Sequence, residues 1–120
     1  MTLEPGSIIV IPFPFSDLTT MKRRPVLLLT APDAYGDFIG MAVTSQVGHA
    51  YSIAILPGYM QSGVLPKASW VRTDKIVSLN QSLAVKVVGM VTDSLRQQAA
   101  RQLCIRLQEG TKGGDGEPAS

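Results

Sequence analysis

The stretch RPVLLL, residues 24–29, is the strongest fold signal in this sequence. Its continuous apolar run, Val26–Leu29, is typical of a short strand buried on both faces. A loop is predicted before it over residues 16–24, and turn residues follow it over 31–37. The Lys22–Arg24 cations therefore lie where the loop meets the strand.

Further short strands are predicted on both sides of this one. Residues 7–13 are β-branched and aromatic, and Pro12 and Pro14 either end that strand or leave it at a sheet edge. Composition predicts the remaining strands over residues 38–44, 52–56, 69–74 and 84–91. Residues 57–68, which are rich in Pro and Gly, are predicted to form an irregular crossing.

One helix is predicted to close the domain. Thr92, Asp93 and Ser94 are N-cap candidates, and Ser94 with Gln97 has the spacing of a capping box. Gly110 is the predicted C-cap. The apolar stripe of the helix recurs every four residues, at Leu95, Ala99, Leu103 and Leu107.

These elements predict a mainly β fold with a C-terminal helix. Five or six short strands with a terminal helix form a small, strongly bent sheet or a partly closed barrel. We predict a single domain over residues 1–110. Residues 111–120 are polar and rich in Gly, and we expect a disordered C-terminal tail there.

The composition limits the classes of protein to which the chain can belong. Hydrophobic residues make up 45% of its 120 residues and charged residues 17%, which is ample for a packed interior. The formal charge of +2 permits a polyanionic partner without requiring one. Cys104 is the only cysteine, so no disulfide forms within the chain, and no apolar stretch approaches the roughly 20 residues that span a bilayer. We expect a cytoplasmic protein without a membrane partner.

Three short patterns carry side chains suited to chemistry, and each also has a simpler explanation. The Lys22–Arg24 cations suit phosphate contact, or they form a solvated loop that discourages edge pairing. Arg72 and Asp74 lie on one face of a strand, opposite to Val71 and Thr73, and they either form a site or simply pair. The run Thr44-Ser45-Gln46 offers donors at a strand end, or it forms a turn that satisfies its own backbone.

Other kinds of site find little support. His49 and Cys104 are each the only residue of their type, which argues against a zinc site. We interpret His49 as a surface residue in preference to a catalytic base. The sequence has no phosphate-binding glycine loop, dinucleotide motif, paired carboxylates or nucleophile elbow. No metal and no cofactor is expected.

The order of the pieces resembles the MazF/PemK toxin family along residues 6–109. The resemblance rests on a strand from Gly6, the Arg-Pro strand 24–29, Ala-Val-Thr-Ser at 42–45, Ser62-Gly63, Val-Arg-Thr-Asp-Lys-Ile at 71–76, and a helix after Thr92-Asp93. The Arg-x-Asp segment is similar to the PemK branch in particular. The family resemblance implies an SH3-like small barrel of the MazF/PemK/CcdB toxin type that forms a homodimer.

The same resemblance implies an activity and a partner. The protein would be the toxin of a type II toxin–antitoxin system, a metal-independent and sequence-selective endoribonuclease. It would cleave single-stranded RNA to a 2′,3′-cyclic phosphate and a 5′-hydroxyl. A cognate antitoxin would bind the dimer and block the RNA groove.

The resemblance also implies the site residues, with catalytic roles for Arg24, Thr44, Arg72 and Asp74. Asp74 would accept the proton of the attacking 2′-hydroxyl, because it is the best-placed carboxylate. Arg24, Arg72 and the Thr44 hydroxyl would stabilise the charge that develops on the phosphorus centre. The expected RNA-binding residues are Lys22, Arg23, Thr19, Ser45, Gln46 and Trp70.

Two alternatives remain open at the level of the sequence. CcdB-type toxins share the fold but bind and poison DNA gyrase, and they would need no catalytic cluster. A barrel that has lost catalysis would only bind RNA. An Arg72–Asp74 ion pair that is closed and remote from Arg24 would favour this second alternative.

Overall fold

Residues 2–14 and 21–110 are described by the computed structural model of the chain. Thr19 and the predicted tail over 111–120 lie outside the described residues. The described strands are β1 (Ser7–Pro14), β2 (Met21–Leu28), β3 (Asp37–Thr44), β4 (Ser52–Ala54), β5 (Met60–Gly63), β6 (Trp70–Asn80) and β7 (Lys86–Val91). The helix α1 spans Asp93–Glu109, and Pro57–Tyr59 and Gln81–Leu83 form single 3₁₀ turns.

All seven described strands belong to one antiparallel sheet, in the order β4-β6-β3-β2-β1-β7-β5. The sheet curls into a half-barrel, and α1 follows its last strand. The predicted fold class, mainly β with a C-terminal helix, is confirmed. Within this sheet β2 lies at the centre of the strand order, and the apolar side chains of its C-terminal half meet a core on each face.

Two hydrophobic clusters cover the opposite faces of β2. Leu27 belongs to the cluster beneath α1, which includes Leu95 and Ala99 of the helix. Val26 and Leu28 point the other way and pack with a second cluster around Phe38. Val26, Leu27 and Leu28 are each 0% exposed, which confirms the prediction of a strand buried on both faces.

The strand β2 begins earlier than predicted. Its pairing with β1 runs from Leu27 back to Met21, so Lys22, Arg23 and Arg24 belong to the strand and not to the preceding loop. The prolines of β1 permit this pairing, because β7 pairs with β1 only as far as Val10. Pro12 and Pro14 lie beyond Val10, where β1 is not paired with β7. The N–H groups that prolines lack are therefore not needed for pairing on that side of β1.

The predicted crossing over residues 57–68 is also more regular than expected. It contains β5, which pairs with β7 through Ser62 and Gly63. The strand β6 continues to Asn80, past the predicted end at residue 74. Pairing between segments far apart in sequence stabilises both strands, and the composition of each segment gives only a weak signal for it.

The caps of α1 follow the sequence in part. The Thr92 hydroxyl accepts a hydrogen bond from the Leu95 amide at 3.3 Å, and Gly110 caps the C-terminus with a left-handed φ of 57°. The predicted capping box is replaced by a hydrogen bond from the Gln97 side chain to Asp93. The apolar stripe ends early, since Leu107 is 69% exposed. Within residues 2–14 and 21–110, no helix has the length and apolar character needed to cross a membrane.

One buried hydroxyl inside β6 gives a test of the packing. Thr73 is 0% exposed, and its Oγ1 has no hydrogen-bond partner among the described residues. A buried hydroxyl without a partner costs about 1–3 kcal/mol, so the nearly isosteric Thr73→Val should raise the free energy of unfolding by about 1 kcal/mol. Urea unfolding measures the change, with Thr73→Ser as the control that keeps the hydroxyl and should be less stable than wild type. A Thr73→Val protein less stable than wild type would mean that the hydroxyl is hydrogen-bonded in solution.

Candidate active site

Two clefts lie side by side and share lining residues from β2 and β3; β6 contributes to the smaller cleft, and β1 and β7 contribute to the larger. The smaller has a volume of about 320 Å³ and is called here the polar cleft. Its polar side chains are Arg24, Thr44, Gln46, His49, Arg72 and Lys75. The larger, of about 720 Å³, is called the basic groove, and its cations are Lys22, Arg23, Arg24, Lys67 and Lys86. Arg24 and Thr44 line both, so they stand at the junction of the two clefts.

The pairing of β2 with β3 explains why Arg24 and Thr44 meet. Val26 pairs with Ala42, and the two strands are antiparallel. Arg24 and Thr44 each lie two residues beyond this pair in opposite chain directions. The register therefore brings them to the same end and the same face of the sheet. Their shared position at the cleft junction agrees with this geometry.

An irregularity in β6 brings Arg72 to the same place. Met41 and Val43 of β3 pair with Ile76 and Val71 of β6, so the single residue Ala42 lies across from the four residues of Arg72–Lys75. Such bulges bend a strand and redirect its side chains. Here the bulge places Arg72 and Lys75 in the lining of the polar cleft.

Arg72 and Asp74 form a bidentate ion pair. The Arg72 Nε donates to Asp74 Oδ1 at 3.1 Å and Nη2 donates to Oδ2 at 2.8 Å. The two side chains are 21% and 26% exposed, so the pair is partly shielded from water. The predicted division of faces is present, because Val71 and Thr73 are buried while Arg72 and Asp74 reach solvent.

The electrostatics of Asp74 favour its charged form. Burial alone raises the pKa of this carboxyl, but the hydrogen bonds and positive charge of Arg72, with a smaller contribution from Arg106 of α1, bring it below its ordinary value. Arg106 itself lies 3.7 Å from the ring centroid of Tyr51. Asp74 is not among the residues that line the polar cleft. Its geometry suits a residue that orients Arg72, and its role as proton acceptor stays a prediction.

The lowered pKa of Asp74 predicts how stability depends on pH. The ionised carboxylate contributes stability above the ordinary pKa of 3.8, and this contribution disappears as the pH falls through the lower folded-state value. Asp74→Asn should therefore be less stable than wild type at pH 7, with a difference that shrinks towards pH 3. Urea unfolding from pH 3 to pH 7 measures the difference in the free energy of unfolding between the two proteins. Glu4→Gln, which removes an exposed carboxylate, is the control. A difference that stays constant with pH would contradict the ion pair.

The other predicted RNA-binding residues are distributed over both clefts. Lys22, Arg23 and Ser45 line the basic groove, and Gln46 lines the polar cleft. Trp70 is half-buried, pairs with β3 and β4, and lines neither cleft. Their predicted contacts with RNA stay predictions.

The turn after β3 also satisfies part of its own backbone. The Thr44 hydroxyl accepts a hydrogen bond from the Gln46 amide at 3.1 Å, which is the simpler explanation considered for this run. Thr44 also lines the junction of the two clefts, so the turn leaves it at the candidate site, and a functional role of this run stays a prediction. The turn therefore fixes the donor next to Arg24.

Three cations and one imidazole at the site were not singled out from the sequence. Lys75 follows Asp74 directly, and it could have been suspected from that position alone. Lys67 and Lys86 reach the basic groove from segments far apart in sequence, for which no spacing rule exists. His49, interpreted as a surface residue, is half-buried and lines the polar cleft. Within the described part of the chain, no three His, Cys, Asp or Glu side chains are grouped so as to hold a metal ion.

Comparisons with known proteins agree with the geometry. The chain matches the family model of the PemK-like, MazF-like toxin of type II toxin–antitoxin systems over residues 4–107. It is similar to the solved MazE–MazF of Deinococcus radiodurans, with a TM-score of 0.73 and 19% identity over 90% of this chain and 97% of that one. A comparison with curated proteins found no match.

Two mycobacterial structures are similar as well. One is an endoribonuclease, with a TM-score of 0.66 and 17% identity over 90% of this chain and 93% of that one. The other is an endoribonuclease in complex with its cognate antitoxin, with a TM-score of 0.60 and 16% identity over 91% and 94% of the two chains. At these identities the likeness to solved structures shows a shared fold.

Proposed function

The chain belongs to the family of PemK-like, MazF-like toxins of type II toxin–antitoxin systems, and from this premise we propose that it is a metal-independent endoribonuclease. Its substrate is single-stranded RNA, cut at selected sequences to leave a 2′,3′-cyclic phosphate and a 5′-hydroxyl. The observation that supports this best is the convergence of Arg24, Thr44 and Arg72 on one cleft. Cations and a hydroxyl donor around one point suit a reacting phosphate.

The proposed reaction requires stabilisation of negative charge. The ribose 2′-oxygen attacks the neighbouring phosphorus, the P–O5′ bond breaks, and the negative charge on the equatorial oxygens increases on the way. Arg24 and Arg72 supply positive charge, and the Thr44 hydroxyl supplies a further donor. Asp74 holds the guanidinium of Arg72 by two hydrogen bonds, which limits its freedom before substrate binds.

The basic groove supports the choice of a nucleic acid as substrate. Lys22, Arg23, Lys67 and Lys86 line it, and it continues from the polar cleft through Arg24. Cations in a row attract a phosphate backbone and steer its approach. The remaining lining includes apolar side chains against which unpaired bases can pack: Val64, Leu65, Pro66, Val87 and Val88.

The proposal includes protein partners and a location. A solved structure similar to this chain is an endoribonuclease with its cognate antitoxin, and we assign this chain a cognate antitoxin that covers the basic groove. We also assign it a homodimeric state, in which a two-fold axis would repeat the site. Ile105 and Leu107, which are 45% and 69% exposed near the end of α1, are apolar side chains available to such contacts. The proposed location is the cytoplasm.

One observation bears on the alternative of an inactive barrel. The Arg72–Asp74 ion pair is closed, as that alternative requires. The alternative also requires the pair to be remote from Arg24, whereas Arg72 and Arg24 line the same cleft. The same convergence of charged groups argues against a CcdB-type gyrase poison, which would need no such cluster.

The test uses the purified protein without antitoxin and a long unstructured RNA in the presence of EDTA. Primer extension maps the cut positions, and enzymatic end analysis identifies the cyclic phosphate. We expect discrete cuts that end in cyclic phosphate. A folded protein that leaves varied RNAs intact would refute the proposal, and inhibition of gyrase supercoiling by the same sample would identify a gyrase poison.

A further inference from the structure

His49 lines the polar cleft and has no role in the reaction as proposed above. It lies in the loop between β3 and β4, is half-buried, and lines the cleft together with Arg24 and Arg72. Its backbone carbonyl accepts a hydrogen bond from the Ser52 hydroxyl at 2.8 Å. The hydrogen bond from Ser52 of β4 holds the loop at His49. The hydrogen bond from the Gln46 amide to the Thr44 hydroxyl holds the start of the same loop.

The reaction needs a proton acceptor, and the polar cleft offers few. Arg24, Arg72 and Lys75 are cations, while the side chains of Thr44 and Gln46 are poor bases. The carboxylate of Asp74 lies outside this lining, and each of its oxygens accepts a hydrogen bond from Arg72. Among the described residues that line the cleft, His49 carries the side chain that most often serves as a general base.

We propose that His49 is the general base of RNA cleavage, an inference that rests on the proposed function. Its imidazole nitrogen takes the proton of the 2′-hydroxyl as the O2′–P bond forms. The P–O5′ bond breaks, and the 5′-oxygen leaves with the bonding electron pair and takes a proton from water. The imidazolium then returns its proton to solvent, which restores the protein to its starting charge.

This assignment predicts a definite pH dependence. The charged groups that line the cleft with His49 are Arg24 from β2, and Arg72 and Lys75 from β6; Asp74 is paired with Arg72 at its margin. A general base acts only in its unprotonated form, so the cleavage rate of the wild type should rise with pH to a plateau, and His49→Gln should not show that rise.

The experiment compares single-turnover cleavage by wild type and His49→Gln from pH 5 to pH 9. Loss of a general base typically lowers the rate by about 10²–10⁴-fold, and His49→Gln should also lack the rising limb. Added imidazole should partly restore His49→Ala. Val47→Ala is the matched control, since Val47 is 75% exposed on the same loop and lines neither cleft.

The outcomes separate this inference from the proposed function. An inactive wild type would refute the proposed function itself. An active wild type with a His49→Gln variant of equal rate and equal pH profile would refute the role of His49 alone.

A second measurement does not depend on the folding of a variant. His49 is the only histidine of the chain, so its imidazole protons can be followed by NMR without mutational assignment. A single-stranded oligonucleotide with 2′-deoxyribose at the cut position should bind and shift these resonances. Saturating oligonucleotide that leaves them unmoved would overturn the inference.

Discussion

Arg24→Ala is expected to lower the single-turnover rate of RNA cleavage by about 10²–10³-fold, the usual effect of removing one preorganised charge stabiliser. Arg24 stands at the junction of the polar cleft and the basic groove, so under the proposed function it would be within reach of a phosphate bound in either one. Arg24→Lys keeps the positive charge but lacks the planar guanidinium that can donate two hydrogen bonds at once. Its rate should therefore lie between those of Arg24→Ala and wild type. Radiolabelled RNA in EDTA, with saturating protein, gives the rate without interference from product release.

The control for Arg24 removes a cation elsewhere. Arg101 is exposed on α1 and lines neither cleft, so Arg101→Ala should cleave at the wild-type rate. Circular dichroism and urea unfolding establish that each variant is folded. Folded Arg24→Ala that cleaves as fast as Arg101→Ala would show that the reacting phosphate binds elsewhere.

Gly63→Ala is expected to lower the free energy of unfolding by about 3 kcal/mol, from backbone strain and a steric clash together. Gly63 has a φ of +77°, and a Cβ there would lie 2.4 Å from the Val88 carbonyl oxygen and 2.6 Å from Gly89 Cα. Both neighbours are backbone atoms, so neither can move aside by a change of rotamer. The pairing of β5 with β7 should therefore weaken.

Three other glycines separate the two causes. Gly89→Ala introduces only the clash, since its Cβ would lie 2.7 Å from the Ser62 carbonyl oxygen and its φ is not positive. Gly48→Ala introduces only the strain, at a φ of +99°, because apart from its chain neighbours no atom of residues 2–14 and 21–110 would lie within 4 Å of its Cβ. Gly58→Ala introduces neither and should be nearly neutral. Urea unfolding should rank Gly63→Ala as the least stable; a value equal to that of Gly58→Ala would contradict the close approach of β5 and β7.

Local patterns predicted the parts of the fold that local chemistry determines. The apolar run Val26–Leu29 identified the central strand, because a strand between two cores has no polar face. Thr92 and Gly110 marked the ends of α1, because cap residues act within one turn. The strand β5 was missed, because its pairing with β7 depends on a contact between two glycine backbones.

In the candidate site, as in the fold, the sequence predicted the features that depend on local patterns. Alternation along β6 placed Arg72 and Asp74 on one face, which is a local property of any strand. The bulge that turns Arg72 into the polar cleft depends on the register with β3, and no local pattern reports that register. His49 and Lys86 join the site only through the folding of a loop and a distant strand. Sequence reasoning therefore singled out the arginines that line the polar cleft and interpreted His49, which lines the same cleft, as a surface residue.

The most direct test of 2′-hydroxyl attack in the polar cleft uses a chimeric oligonucleotide. It is DNA throughout except for one ribonucleotide on the 5′ side of the mapped cut. A separate single strand of the same sequence, made entirely of DNA, is the control substrate. Wild type in EDTA should cut the chimera at that position to a 2′,3′-cyclic phosphate and leave the all-deoxy strand intact. Equal cutting of both strands, or a product without a cyclic phosphate, would contradict the proposed chemistry.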